Sequence, residues 1–365
     1  MSDLEKNRAL INEIDEKMAK LFEERMKAVE GIAEYKKENS LPIFDAKREQ
    51  QLLEKNTNYI SSPLIQEYYV PYFQGLLKAS RAYQERLLST SKIAYCGVEG
   101  AYAYLAAKKA DPKAELVAFP SFEKAYKSVV EGTCDYALLP IENSFAGDVG
   151  DTMDLVFNGN LFINRMVSLE VRHALLAKKG TKMEDIKTVA SHPQALAQCS
   201  DFIQQHGFAQ IARSNTAVAC KELVESNDTT VAVIASPENA SLYGLDILAS
   251  HINTSENNTT RFALFSRALA KVDPNSKMGE NFILVFTVLN EAGALAKTLN
   301  IIGAHGFNMR NLRSRPMKGL LWTYYFFVEL EGNINTVDGK DMLNELSTIT
   351  DRLKLAGVYH LNEDE

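Results

Sequence analysis

The sequence predicts a multidomain chain: an all-α helical bundle, then a two-lobed α/β domain, then a ferredoxin-like α+β unit in βαββαβ order. Three observations carry this. A length of 365 residues implies two or three cores at roughly 150 residues per domain. Apolar residues recur at helical spacing up to about Leu88, and from Lys92 short β-rich runs alternate with helical stretches. From Phe282 the order becomes strand, helix, strand, strand, helix, strand.

Composition sets the class. With 46% hydrophobic and 24% charged residues the chain is an ordinary globular protein, and its net charge of −7 disfavours a wide basic face for nucleic acid. An anionic small molecule remains an allowed partner. No apolar run approaches the roughly 20 residues of a membrane span, and the acidic start MSDLEKNRALINEIDEK has neither a signal-peptide nor a transit-peptide pattern, so the expected compartment is the cytoplasm. Cys96, Cys134, Cys199 and Cys220 form no C-x-x-C pair, which predicts reduced thiols and no metal site. No nucleotide or other cofactor motif is present.

Residues 4–38 hold no proline, and Leu4, Ile11, Ile14, Met18, Leu21, Phe22, Val29 and Ile32 form one apolar stripe; this helix should end near Pro42. A short helix follows from Asp45 to about Lys55, and a third from the Ser62-Pro63 start signal to about Leu88. Ser89-Thr90-Ser91 is the expected joint, giving a helical domain over 1–90. The α/β domain spans 91–269. Its strands are read at Lys92–Cys96, Leu116–Phe119, Asp135–Leu139 and Thr229–Ile234, with helices at Phe122–Glu131 and Pro193–Gln205. A linker over Ala270–Gly279 precedes the last unit, 278–365, whose strands are Phe282–Leu289, Phe307–Arg315, Leu320–Glu331 and Leu355–His360, with helices Ala292–Gly303 and Thr336–Arg352.

The first helix carries cations on its apolar side. At 100° per residue from Ile11, Arg25 falls at about 320° and Lys36 at about 340°, inside the stripe, and Arg8 on its edge near 60°. A buried cation needs an anionic partner; a bound anion satisfies that, as would internal pairing with Asp15 or Asp45, or snorkelling. Asp45 and Arg48 share one helical face, Ser80 and Gln84 another. Arg8 and Lys36 are roughly 42 Å apart along a straight helix, so they can serve one small site only if two long helices run antiparallel in a dimer.

These residues resemble the all-helical chorismate mutase domain, with Arg8, Arg25, Lys36, Asp45, Arg48, Glu49, Ser80 and Gln84 at the positions that family uses around its substrate. The resemblance implies an intertwined dimer in which Arg8 comes from the partner. Arg8, Arg25 and Arg48 would then hold two carboxylates, Lys36 and Gln84 would bond the ether oxygen as it gains negative charge, and Glu49 and Ser80 would orient the ring hydroxyl. The rearrangement of chorismate to prephenate is pericyclic and asks only for substrate folding and charge stabilisation.

In the middle domain, polar clusters follow apolar strands, where α/β sheets bind ligands: Pro140-Ile141-Glu142-Asn143 and Ser191-His192-Pro193-Gln194. Each alone reads equally as a cap or turn. Together with Gly97-x-x-Gly100-x-Tyr102 and Thr260-Arg261-Phe262 they resemble prephenate dehydratase, from about Lys92 to Arg267. That resemblance implies expulsion of carbon dioxide and the ring hydroxyl together, with Thr260 donating to the departing oxygen, Arg261 supplying charge for a carboxylate, and Asn143, Ser191, Gln194, Gln198, Ser214 and Thr216 lining the cleft. His192, before a proline at a helix start, reads as structural, and Cys199 as packing. The competing reading is a two-lobed sensor that binds an aromatic acid without converting it.

The last unit resembles the ACT regulatory domain, with Gly293-Ala294-Leu295 at its first strand-to-helix turn and Ser314-Arg315-Pro316 further on. The resemblance implies phenylalanine as effector, bound at Gly293, Ala294, Leu295, Ser314 and Arg315, and a homodimer or tetramer; a dimerisation module without ligand is the alternative. Arg313 stands where that family usually has glutamate.

Overall fold

A computed structural model describes residues 2–255, 257–271, 280–317 and 323–360, in two compact units divided between Ser91 and Lys92. The first unit is three helices: α1 (Asp3–Glu38), α2 (Ala46–Thr57) and α3 (Pro63–Leu88). Ser2 and Glu5 form a reciprocal capping box at the head of α1, and Ser62 caps α3 with Pro63 in its first turn, as the sequence signals predict. Helix α3 continues through Pro71.

Three helices do not cover their own apolar stripes. Val29, Ala33, Phe73 and Leu77 are the buried apolar side chains among the described residues of this unit, whereas Leu21 and Phe22 are 62% and 45% exposed and Leu10, Ile11, Ile14 and Met18 are exposed as well.

The second unit begins with β1 (Lys92–Cys96), α4 (Tyr102–Ala110), β2 (Glu115–Phe119), α5 (Phe122–Val130), β3 (Tyr136–Asn143), β4 (Gly147–Asp148), α6 (Gly150–Asn158) and β5 (Phe162–Glu170). The chain then builds a second lobe: β6 (Ala174–Ala177), β7 (Thr188–Ser191), α7 (Pro193–Gln198), α8 (Ser200–His206), β8 (Ala209–Ala212), α9 (Thr216–Glu225), β9 (Val231–Ala235), α10 (Glu238–Tyr243) and β10 (Asp246–Ala249). It returns through β11 (Thr259–Ser266), which lies between β5 and β3. The second lobe has its own sheet, in the order β10-β6-β9-β7-β8. The two crossings between lobes are bonded to each other, Val171 N–H donating to Asn258 O at 2.7 Å and His173 N–H to Asn253 Oδ1 at 2.7 Å.

The final unit is β12 (Glu280–Val288), α11 (Ala294–Ala304), β13 (Asn308–Pro316), β14 (Tyr324–Glu331), α12 (Val337–Ile349) and β15 (Thr350–His360), the ferredoxin-like order the sequence predicts. Its four strands run β13-β14-β12-β15, and β15 pairs with β5 of the first lobe, joining both into one ten-stranded sheet. Gly357 sits at that junction, where a Cβ would come within 2.3 Å of Ile163 O. Strand β12 is apolar and almost wholly buried because both its faces are covered: Phe282, Leu284 and Phe286 pack on the unit's own helices, and Ile283 and Val285 face the core around Met153, Val156 and Phe157.

Several elements differ from expectation, among them the helix read over Thr336–Arg352, which ends at Ile349 so that Thr350–Arg352 open β15 ahead of the strand expected from Leu355. The helix read over Pro193–Gln205 breaks at Cys199, where the carbonyl of Gln198 accepts from Thr254 N–H instead of continuing the helix. Strand β3 runs on through Asn143, because a register shift opposite Pro140 absorbs the residue that cannot donate. Strand β14 begins at Tyr324; the first residues of the expected strand from Leu320, like residues 272–279 of the expected linker, lie outside the described residues.

Candidate active sites

In the helical unit the misplaced cations meet neutral groups. Arg25 is half-buried and donates to Ser80 Oγ, and burial lowers its pKa from the ordinary arginine value. Lys36 Nζ donates to Ile43 O at 2.5 Å. Among the described residues neither is paired with a carboxylate. Gln84, 7% exposed, donates to Ser80 O at 3.4 Å and leaves its own Oε1 buried without a partner. Arg8 is exposed. Two residues depart from expectation. Asp45 is the N-cap of α2, accepting from Arg48 N–H at 2.9 Å, and Glu49 is ion-paired to Arg81, whose guanidinium lies over the Phe44 ring at 5.1 Å. The sequence reading missed Arg81, because nothing local ties it to Glu49 on another helix.

Between the lobes of the second unit lies a cleft of about 330 Å³, lined among others by Gly97, Tyr102, Asn143, His173, Gln194, Gln198, Ser214, Thr216, Thr260 and Phe262. The glycines of Gly97-x-x-Gly100 have φ of +118° and +86°, and a Cβ on Gly100 would come within 2.1 Å of Asn239 Oδ1 from the other lobe. This turn starts α4 and aims Tyr102 into the cleft. The first turns of α4, α7 and α9 line the cleft through Tyr102, Gln194 and Thr216; the heads of α7 and α9 are capped by side chains, Gln194 N–H donating to His192 Nδ1 and Ala217 N–H to Asn215 Oδ1, whereas no side chain caps α4. The lining includes no lysine or arginine.

The hydrogen bonds around Thr260 assign its proton. Asn143 Oδ1 accepts from Phe145 N–H at 3.0 Å and Ala146 N–H at 2.8 Å, which fixes which end of the amide is oxygen. Its Nδ2 therefore donates, to Asn258 Oδ1 and to Thr260 Oγ1, both at 2.9 Å. Thr260 Oγ1 is thus an acceptor toward Asn143, and its own O–H has no acceptor among the described residues. The hydroxyl is left to donate into the cleft.

His173, 1% exposed at the lobe crossing, sits between Tyr102 Oη at 3.0 Å and Gln198 Oε1 at 2.8 Å. Burial lowers its pKa, against a smaller raising effect of the Gln198 bond, so the ring is held neutral. Burial raises the Tyr102 hydroxyl well above its ordinary value. No local pattern marks His173, a lone histidine in a crossing segment.

Two expected cleft residues lie elsewhere. Ser191 is fully buried and donates to Ile234 O at 2.5 Å. Arg261 follows Thr260 on β11 and so points to the opposite face. There its guanidinium meets both oxygens of Glu329, at 3.0 and 2.9 Å, and Glu142 at 3.3 Å. His192 caps α7, its Nδ1 accepting from Gln194 N–H at 3.2 Å, and also lines the cleft. Cys199 is packing: it is fully buried, and burial pushes its thiol up to about 12.

In the last unit Gly293 caps α11 with φ +82°, a backbone that favours glycine, followed by Ala294 and Leu295 in the first turn. Ser314 is exposed on β13. Arg315 faces the first lobe, its Nε 3.3 Å from Asp154 and its guanidinium against Gly150.

Family descriptions match three successive stretches of the chain. The chorismate mutase type II description matches residues 7–85, prephenate dehydratase 93–269 and the ACT domain 282–347. A bifunctional chorismate mutase/prephenate dehydratase of Buchnera aphidicola (Acyrthosiphon pisum) is 34% identical over 96% of this chain and 94% of its own. A solved prephenate dehydratase from Arthrobacter aurescens in complex with L-Phe superposes with a TM-score of 0.69 at 27% identity, over 75% of this chain and 91% of its own. A solved structure described as GqqA, a quorum quenching acylase, gives a TM-score of 0.69 at 32% identity, over 75% of this chain and 99% of its own.

A histidine whose folded pKa lies below the unfolded value of about 6.5 binds its proton more readily in the unfolded chain, so stability rises with pH across the interval between those two values. The penalty is in full force below the folded pKa. Urea midpoints of the second unit should therefore fall on acidification below pH about 6.5, and His173→Asn should fall less steeply. Parallel curves for the two proteins would remove His173 from the acid sensitivity.

Proposed function

The chain belongs to the bifunctional chorismate mutase/prephenate dehydratase family, and on that footing we propose how its own residues carry the two reactions, chorismate to prephenate and prephenate to phenylpyruvate. The observation that carries the second step is the Thr260 hydroxyl, turned outward by Asn143. Prephenate loses its ring carboxylate as carbon dioxide; the electron pair of that carbon–carbon bond enters the ring, and the opposite carbon–oxygen bond breaks. Hydroxide is a poor leaving group, so the Thr260 hydroxyl donates a hydrogen bond to the departing oxygen as it gains charge, and the oxygen takes its proton from solvent to end as water. The first turn of α4, which no side chain caps, would meet the substrate's negative charge, the task expected of Arg261. A passive sensor does not need an oriented hydroxyl donor, and this favours the enzyme. An acylase would need an activated nucleophile, but Ser191 is spent on Ile234 and burial raises the Cys96 thiol.

In the helical unit, Arg25 and Lys36 are free of carboxylates among the described residues, a pair suited to a dianion, and the Gln84 amide N–H group, which makes only a long 3.4 Å bond to Ser80 O, is the donor it could offer. With Arg48 they would fold the substrate, Lys36 and Gln84 meeting the ether oxygen. The uncovered apolar face of α1 supports a homodimer in which a second α1 lies antiparallel and brings Arg8 to the partner's site. The ACT unit would take phenylalanine, the ligand seen in the Arthrobacter relative, beside Gly293 and Ser314. Unpaired thiols at all four cysteines suit the cytoplasm.

Purified protein fed chorismate should form prephenate and then phenylpyruvate. Lys36→Ala should stop the first step yet convert supplied prephenate, and Thr260→Ala should make prephenate accumulate; joint loss of both steps in either variant contradicts two separate sites. Mixing inactive Arg8→Ala with inactive Lys36→Ala subunits should recover part of the mutase activity in mixed dimers, because one of the two sites then carries both intact residues. Verified mixed dimers that stay inactive would refute the shared site.

A further inference from the structure

Arg313 occupies a position where the ACT family usually carries glutamate, and its side chain is 9% exposed. Its ion pairs are with the first lobe. Its Nη2 lies 2.6 Å from Glu142 Oε1 and its Nε 2.9 Å from Asp148 Oδ1. Glu142 and Asp148 are cross-strand partners in the β3–β4 hairpin, so one planar guanidinium grips both legs of it. The tip of that hairpin carries Phe145 and Ala146, whose N–H groups fix Asn143 Oδ1, and Asn143 in turn bonds Thr260.

We propose that Arg313 is a positioning residue for the dehydratase step, holding the Glu142–Asp148 hairpin so that Asn143 keeps Thr260 Oγ1 as an acceptor and its proton aimed at the substrate. The same face offers a second tie: Glu142 also meets Arg261, the neighbour of Thr260 on β11, and Arg261 is anchored on Glu329 of the ACT sheet, which Tyr359 Oη also bonds at 2.8 Å. Strand alternation places the reactive pair, Asn143 and Thr260, on one face and their neighbours, Glu142 and Arg261, on the other. A glutamate at position 313 would set a third carboxylate against Glu142 and Asp148 and push the hairpin away. In this chain arginine reverses the sign of that contact, and the ACT unit supports the catalytic hairpin directly.

The inference rests on the dehydratase reading of the cleft, and one experiment separates the two. Steady-state turnover of supplied prephenate is measured for the full-length parent, Arg313→Gln and Arg313→Lys, with chorismate consumption as an internal control. The parent should turn over; its failure to do so defeats the dehydratase reading itself. Arg313→Gln should lower kcat about tenfold to a hundredfold with KM within about twofold, since the substrate's own contacts are untouched. Arg313→Lys, which can reach one carboxylate at a time, should fall between, and mutase turnover should hold in both. An active parent with an unchanged kcat in folded Arg313→Gln, or a loss confined to KM, overturns the proposal. If Arg313→Gln does not fold, Asp148→Asn, which removes one of the two grips at a half-exposed side chain, must show the same fall in kcat in smaller measure; an unchanged kcat there overturns it equally.

Discussion

The hydrogen bond from Asn143 to Thr260 organises the second unit. A threonine hydroxyl can donate or accept, and in a cleft without lysine or arginine its direction decides what chemistry is available. Asn143 sets that direction because its own oxygen is already committed to two backbone N–H groups of the hairpin. The β3–β11 pairing brings the two residues together across more than a hundred positions of sequence, and the long excursion between them is the second lobe that closes the cleft. The fold therefore builds the donor from one strand pair and lines the cleft beside it with helix starts from both lobes.

The helical unit works from the opposite condition. Arg25 and Lys36 meet no carboxylate among the described residues, and the apolar stripe of α1 is left uncovered; the proposed second copy would cover the stripe and a bound dianion would meet the charge. Burying the side chains of Leu21, Phe22 and their neighbours would contribute about 1.5–3 kcal/mol each, which is the gain the proposed dimer would offer.

Much of this was legible in the sequence, and the failures have physical reasons. Caps and proline signals located α1, α2 and α3 to within a residue or two, since those signals are local. The ferredoxin-like order was legible for the same reason, but its fusion into the ten-stranded sheet through β15 and β5 was not, because one pairing at Gly357 leaves no periodic trace. Around the cleft, the motif residues Asn143, Gln194, Gln198, Ser214, Thr216 and Thr260 were placed together, while Arg261 and Ser191 were not. Neighbours in a strand face opposite ways, and a motif read as a string hides that alternation. His173 carried no pattern at all; it is defined by Tyr102 and Gln198, which come from different elements.

The most direct measurement is dehydratase turnover in Asn143→Asp. A carboxylate of the same shape cannot donate to Thr260 Oγ1, so the threonine would donate to it instead and turn its proton away from the substrate. The account predicts a folded protein that consumes chorismate normally and whose kcat on prephenate falls about as far as when the threonine hydroxyl is removed. Turnover of prephenate close to that of the parent would contradict it.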